Sequence, residues 1–180
     1  MKKNGITHKE LIKHAYRWLF KAYQGASSWG HRECKVIVSE IRADTWMSEI
    51  PDCIGFDGKI SVLVECKTSK ADFLKDKEKG CRLLEDMPLG NQRWFLAPQG
   101  VIETKELPPK WGLIEVRGEG TRVVKKAEYI ENNKSGELNI LISLIRRLKI
   151  KKEGHIGIKE FTEMDIFGKE NKKDASFLAA

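Results

Sequence analysis

Three charged side chains, Asp52, Glu65 and Lys67, interrupt the most apolar stretch of the sequence, PDCIGFDGKISVLVECKTS at residues 51–69. ISVLVECK reads as a strand, and side chains alternate faces along a strand. Ile60, Val62, Val64 and Cys66 then share one face, and Ser61, Leu63, Glu65 and Lys67 share the other. Glu65 and Lys67 project together, about 6.5–7 Å apart at their Cα atoms. IPDCIGF reads as the preceding strand, and Asp57-Gly58 is a hairpin turn signal between the two. A turn centred between residues 58 and 59 sets Asp52 opposite Glu65. Two carboxylates and a lysine therefore meet at one edge of a sheet. Adjacent carboxylates repel, and one is neutralised unless a cation lies between them. Carboxylate oxygens with a main-chain carbonyl, here that of Cys66, form a hard-oxygen set suited to Mg²⁺ or Mn²⁺. A lysine beside such a cation can orient an attacking water, help remove its proton, or neutralise charge building on a phosphoryl oxygen. That chemistry suits hydrolysis of a phosphodiester. The plain alternative is an ion-pair network that holds the sheet edge in register.

The elements that must position these groups follow from periodicity and turn chemistry. HKELIKHAYRWLFKAY (8–23) has helical spacing, with Leu11, Ile12, Ala15, Tyr16, Leu19 and Phe20 on one broad apolar face. Thr7 and Glu10 form a capping box at its start. CKVIVSEIR (34–42) reads as a strand, and the 50–56 and 60–67 strands follow. SKADFLKDKEKGCRLLE (69–85) reads as a helix capped by Ser69, with Asp72 at the box position. QRWFLAP (92–98) is a strand, and GLIEVR and TRVVKKAEY pair as a hairpin around Gly118 and Gly120. GELNILISLIRRLKIKK (136–152) is an apolar helix with a basic end. The order predicts an α/β domain over 1–152 around a central mixed sheet, with helices in the order αβββαβ at its core. Residues 153–180 read as a polar, Lys-rich tail.

Composition narrows the partners. With 33 Lys and Arg against 26 Asp and Glu, the formal charge is +7, which fits a polyanion such as nucleic acid. No window approaches the roughly 18 consecutive apolar residues of a membrane span, so no membrane partner is expected. The opening MKKNGITHKE lacks the apolar run of a secretory leader. Cys34, Cys53, Cys66 and Cys81 show no CxxC spacing and read as reduced thiols of a cytoplasmic protein. His31 and Cys34 could start a metal site, but no second half follows.

Pro51-Asp52 followed by Glu65-Cys66-Lys67 resembles the PD-(D/E)xK motif of the restriction-endonuclease-like nuclease superfamily. ECKTSKADFLKD, RWFLAPQGVI and LPPKWGLIEV are similar to a bacterial and phage group of small nuclease-like proteins that includes the MmcB-type DNA-repair proteins. The similarity covers approximately residues 34–117. It implies a restriction-endonuclease-like core and a Mg²⁺-dependent endonuclease acting on DNA in repair, recombination or phage and host DNA processing. By the same resemblance Asp52, Glu65 and the Cys66 carbonyl are metal ligands, and Lys67 is the catalytic lysine. The products would carry a 5′-phosphate and a 3′-hydroxyl. The superfamily often adds an acidic residue from the first helix or first strand. Glu40 is the preferred candidate here, ahead of Glu10, which capping already explains, and Glu49. A homodimer is an assembly that cutting both strands would favour.

For DNA contacts, Lys70 is the first choice because it lies nearest Lys67. Ser69 at the helix N-terminus and Lys75 along the helix accompany it. An ordinary amphipathic surface helix explains most of its lysines equally well, and Asp72 and Asp76 read as caps or ion-pair partners. Trp94 and Trp111 are expected in the core, whereas Trp46, in a polar loop, could reach substrate. Arg146, Arg147, Lys149, Lys151 and Lys152 could extend the basic surface or simply suit a helix C-terminus. The competing function from another class is a non-cleaving nucleic-acid-binding repair factor. A third is an interaction module recruited through the tail.

Overall fold

The computed structural model describes residues 5–20, 34–45, 49–79 and 88–147, with only the backbone of Lys77. The elements run α1 (His8–Phe20), β1 (Val36–Ser39), β2 (Cys53–Phe56), β3 (Ser61–Cys66), α2 (Lys70–Lys77), β4 (Gln92–Pro98), a 3-10 turn (Thr104–Glu106), β5 (Gly112–Arg117), β6 (Gly120–Lys125) and α3 (Lys134–Arg147). Trp46, Cys81, the expected helical residues 21–23 and 80–85, the last turn of the C-terminal helix, and the domain boundary with its tail lie outside the described residues.

One six-stranded mixed sheet runs in sequence order, β1-β2-β3-β4-β5-β6. β1, β2 and β3 form an antiparallel meander. β3, β4 and β5 are parallel, and β6 returns antiparallel to β5. Parallel neighbours need a crossover, and α2 lies in the connection between β3 and β4.

Both faces of the sheet are covered. Leu11, Ile12, Ala15, Trp18 and Leu19 of α1 pack on Val62, Val64 and Cys66 of β3 and on Trp94 and Leu96 of β4. The opposite face joins Leu63, Phe95 and Leu113 to Phe73 of α2 and Ile140 of α3. β3 is buried along its whole length. Its alternation sorts Val62, Val64 and Cys66 towards α1 and Leu63 towards α2 and α3, as period-two patterning requires. Trp111 stacks on Phe95 with ring centroids 4.3 Å apart, and Trp94 meets Trp18 edge-on at 5.1 Å. Both expected core tryptophans are thus packing groups. Phe20, placed by spacing on the apolar face of α1, is instead exposed and stacks on Tyr16.

Strand ends differ from the sequence expectation for local reasons. β1 stops at Ser39 rather than Arg42 because Glu40 takes a left-handed backbone, φ 49°. Its N–H donates to the carbonyls of Pro51 (3.1 Å) and Asp52 (3.3 Å), so the turn closes on the start of β2. β2 begins at Cys53, since Pro51 has no N–H to give a ladder. The turn after β2 forms as its sequence demands. Asp57 Oδ1 accepts from the N–H groups of Lys59 (2.7 Å) and Ile60 (2.8 Å), and Gly58 supplies φ +95°.

The start of β3 is tied down by polar groups. Glu137 of α3 accepts from Ser61 Oγ at 2.6 Å and from the Gly90 N–H at 2.8 Å. Asn91 Oδ1 accepts from the Ser61 N–H at 3.0 Å. These buried bonds satisfy donors that would otherwise be costly, and they fix the strand whose other end carries Glu65 and Lys67.

Candidate active site

The β2–β3 register pairs Cys53 with Val64 and Ile54 with Leu63. One step further along it, Asp52 stands opposite Glu65. Asp52 Oδ2 accepts the backbone N–H of Cys66 at 2.8 Å, which aims the carboxylate at the end of β3. The Cys66 thiol itself is buried on the α1 side, where burial and the neighbouring Cys53 thiol hold it well above the ordinary thiol range. Burial pushes Asp52 up to about 6, and the charge of Glu65 adds to it. Lys67, the Cys66 N–H and His8 pull the other way.

Glu65 is 0% exposed and Lys67 3%. The Lys67 ammonium donates to Glu65 Oε2 at 3.2 Å and to Asp76 Oδ1 of α2 at 2.9 Å. Lys79, just past α2, brings a second ammonium to Asp76 Oδ1 at 2.7 Å and lies 3.8 Å from Glu65 Oε2. Burial, the largest influence, would lower the lysine. The charges of Glu65 and Asp76, the hydrogen bond to Asp76 and the charge of Asp52 overcome it, so Lys67 is held protonated well above the ordinary range. The surrounding carboxylates thus favour the charged form of Lys67, which suits the orienting and charge-neutralising roles.

The remaining candidates fall into different places. Glu40 is exposed beyond β1, and His8 Nε2 bridges it to Asp52, 3.6 Å from Glu40 Oε1 and 3.6 Å from Asp52 Oδ1. Glu10 closes the capping box, accepting the Thr7 N–H and hydroxyl at 2.7 Å each and donating its own N–H to Thr7 Oγ1 at 3.3 Å. Glu49 is buried before Pro51, and its carbonyl accepts the Thr45 hydroxyl at 2.7 Å. Ser69 caps α2, accepting the Asp72 N–H at 3.2 Å, while Asp72 turns back to the Thr68 N–H at 3.0 Å. Lys70 pairs with Glu106 from the 3-10 turn and lies 5.6 Å from the Phe73 ring. Lys75 is exposed on α2, and Arg146 and Arg147 are exposed at the end of α3.

Sequence reasoning passed over His8 and Lys79 as members of this cluster and took Asp76 only as a generic ion-pair partner. The signal for Asp76 was present. It stands three residues after Phe73, on the face of α2 that is buried, and an acid on a buried helical face requires a cation. For His8, a histidine at the first helical position, no local pattern points to Asp52.

Among the described residues, no three His, Cys, Asp and Glu side chains form a ready metal cage. Asp52 and Glu65 bring two carboxylates to the same end of the β2–β3 pair. Mg²⁺ is commonly bound by one or two carboxylates. Asp52, Glu65, Asp76, Lys67 and Lys79 together bring three carboxylates and two ammonium groups, a net negative cluster. The carboxylate oxygens of Asp52 and Glu65 are the ligand type that a hard divalent cation takes, beside two ammonium groups at Glu65 Oε2.

Among the described residues, no helix is long and apolar enough to cross a membrane. No protein-family model matches the chain. No curated protein matches it either. A protein of unknown function from Silicibacter pomeroyi is similar in structure, at 22% identity and a TM-score of 0.48, over 69% of this chain and 85% of that one. The α/β fold, a mixed sheet flanked by helices, therefore rests on the architecture described above.

Proposed function

We propose that the protein is a Mg²⁺- or Mn²⁺-dependent endonuclease of the PD-(D/E)xK class, with a restriction-endonuclease-like core, that hydrolyses DNA phosphodiester bonds in the cytoplasm. The observation that carries this reading is the gathering of Asp52, Glu65 and Lys67 where β2 begins and β3 ends, two neighbouring strands inside the sheet. The element order α1-β1-β2-β3-α2-β4 and the net basic chain support it. Asp52, Glu65 and the Cys66 carbonyl would hold the cation. When bound, the cation supplies Lewis-acid chemistry at a phosphoryl oxygen. Lys67 lends a fixed positive charge to the oxygens on which charge develops and orients the attacking water. Lys70, Ser69 and Lys75 at the start and along the exposed side of α2 would meet the DNA backbone.

A second reading has its own observation. Glu65 is fully buried and Lys67 is committed to two carboxylates, which equally describes an ion-pair network in a non-cleaving nucleic-acid-binding factor. Titration calorimetry with Mg²⁺ and Mn²⁺, alongside nicking of plasmid, single-stranded and branched DNA, separates the two. The nuclease reading expects wild type to bind metal and cut, and Glu65→Gln to stay folded and do neither. Absence of metal binding, with or without DNA, gives the site to the structural network.

A further inference from the structure

We propose that Asp76 is a positioning residue: it anchors the Lys67 ammonium beside Glu65 so that lysine and metal-ligand carboxylate keep a fixed geometry during DNA cleavage. The role of the fixed geometry rests on the nuclease reading, and the anchoring itself does not.

The argument begins with the lysine stem. Four methylenes make Lys67 flexible, and a single partner on its own strand fixes its ammonium poorly. Glu65 is that partner, two residues back at 3.2 Å. Glu65 is also the carboxylate that a divalent cation would occupy, and such a cation repels an ammonium beside it. An anchor away from the cation is therefore needed. Asp76 supplies it from a different element, α2, with the shorter contact of 2.9 Å.

Burial makes this placement costly unless it has a purpose beyond packing. Asp76 is 1% exposed, three residues from fully buried Phe73. Phe73 meets Phe95 edge-on at 5.1 Å, and the Lys67 ammonium lies 5.9 Å from the centre of that same ring. An apolar residue at 76 would satisfy this helix face at no desolvation cost. Instead the position carries a carboxylate whose Oδ1 accepts from both Lys67 and Lys79. Lys79, half exposed, brings a second ammonium to the same carboxylate oxygen at 2.7 Å.

The test uses the full chain, with Asp76→Asn made in wild type and in Lys67→Met. Single-turnover plasmid nicking, plasmid KM and Mn²⁺ affinity by calorimetry are read together. The expected result is a kcat lower by about 10–100-fold in Asp76→Asn, as for supporting residues around metal sites. KM and Mn²⁺ affinity should stay within about twofold, and the substitution should cost nothing further once Lys67 is Met. An unchanged kcat, or an equal loss in both backgrounds, overturns the proposal. A second readout does not need activity. The ¹⁵N-detected ammonium resonance of Lys67, identified by its loss in Lys67→Met, should be visible in wild type and in Lys79→Met and vanish in Asp76→Asn. Its persistence in Asp76→Asn overturns the anchoring. If wild type fails to nick DNA, the nuclease reading falls and this resonance alone decides. Should Asp76→Asn not fold, Asp76→Asn/Lys79→Met removes one charge of each sign and carries the same measurements.

Discussion

Asp52 and Glu65 face each other across the β2–β3 pair, and the burial they share pushes Asp52 up to about 6. The native state therefore binds a proton more tightly than the unfolded chain, whose aspartate keeps its ordinary value of 3.8. Its contribution to stability is fully present below about pH 4 and is lost as pH rises through about 6. The loss is on the order of 2–3 kcal/mol at most. Other carboxylates, Glu10 and Glu115 among them, are held below their ordinary range and run in the opposite sense. The expected outcome is thus a difference: wild type loses stability relative to Asp52→Asn between pH 4 and 6.5, measured by urea denaturation at fixed ionic strength. A constant difference across that window would mean that folding does not raise Asp52 above its ordinary value.

The same pair makes metal stabilisation pH-dependent. A cation between Asp52 and Glu65 needs both ionised, so Mg²⁺ and Mn²⁺ should raise Tm more at pH 7.5 than at pH 5. Glu65→Gln should abolish the rise at both. Thermal melts with and without metal check this, and an equal rise in Glu65→Gln would assign the metal to another place.

Lys67 carries a stability consequence separate from any catalysis. Lys67→Ala takes the buried ammonium away from Glu65 and Asp76 and leaves the half-exposed Lys79 beside them. Breaking a buried pair from one side costs about 3–5 kcal/mol. Substitution of the trio Glu65, Lys67 and Asp76 by apolar residues of similar volume should cost far less. Denaturation midpoints of the two variants decide it.

Lys70 and Glu106 predict opposite changes in DNA affinity. Their ion pair holds the lysine over the 3-10 turn. Lys70→Ala should weaken binding to any sequence and lower the salt slope by about 0.9 for the lost phosphate contact. Glu106→Gln should release the lysine and tighten binding. Fluorescence anisotropy across 50–200 mM salt reads both, and identical slopes in all three proteins would remove Lys70 from the interface.

At the opposite end of β3, Gly90 sits at φ +80°, where a Cβ would lie 2.7 Å from Leu63 Cβ. Gly90→Ala combines a disfavoured backbone with overpacking and should destabilise by about 2–4 kcal/mol. A thermal shift in Tm measures it.

The parts of the site that lie close in sequence were legible there, because local rules fix them. Asp57-Gly58 sets the hairpin, the hairpin sets the register, and the register sets Asp52 opposite Glu65. Ser69 announces the start of α2 in the same way. What was not legible depends on how elements pack. The early end of β1 follows from Glu40 donating to Pro51 and Asp52, which no propensity encodes. Asp76 and Lys79 reach Lys67 only because Phe73 seats α2 against Phe95. His8 reaches Asp52 only because α1 packs on the sheet with its first turn beside the start of β2. Lys70 was chosen for its nearness to Lys67, yet its Glu106 partner comes from 36 residues away.

The hairpin, α2 and Lys79 follow one another without a break, so the groups from Asp52 to Lys79 form a single run of chain. Their mutual contacts close over short loops, and short loops close early and cheaply in a folding chain. The run is continuous, yet α2 takes its seat from Phe95 of β4, so a designer who moved the charged stretch to another sheet would have to carry β4 with it.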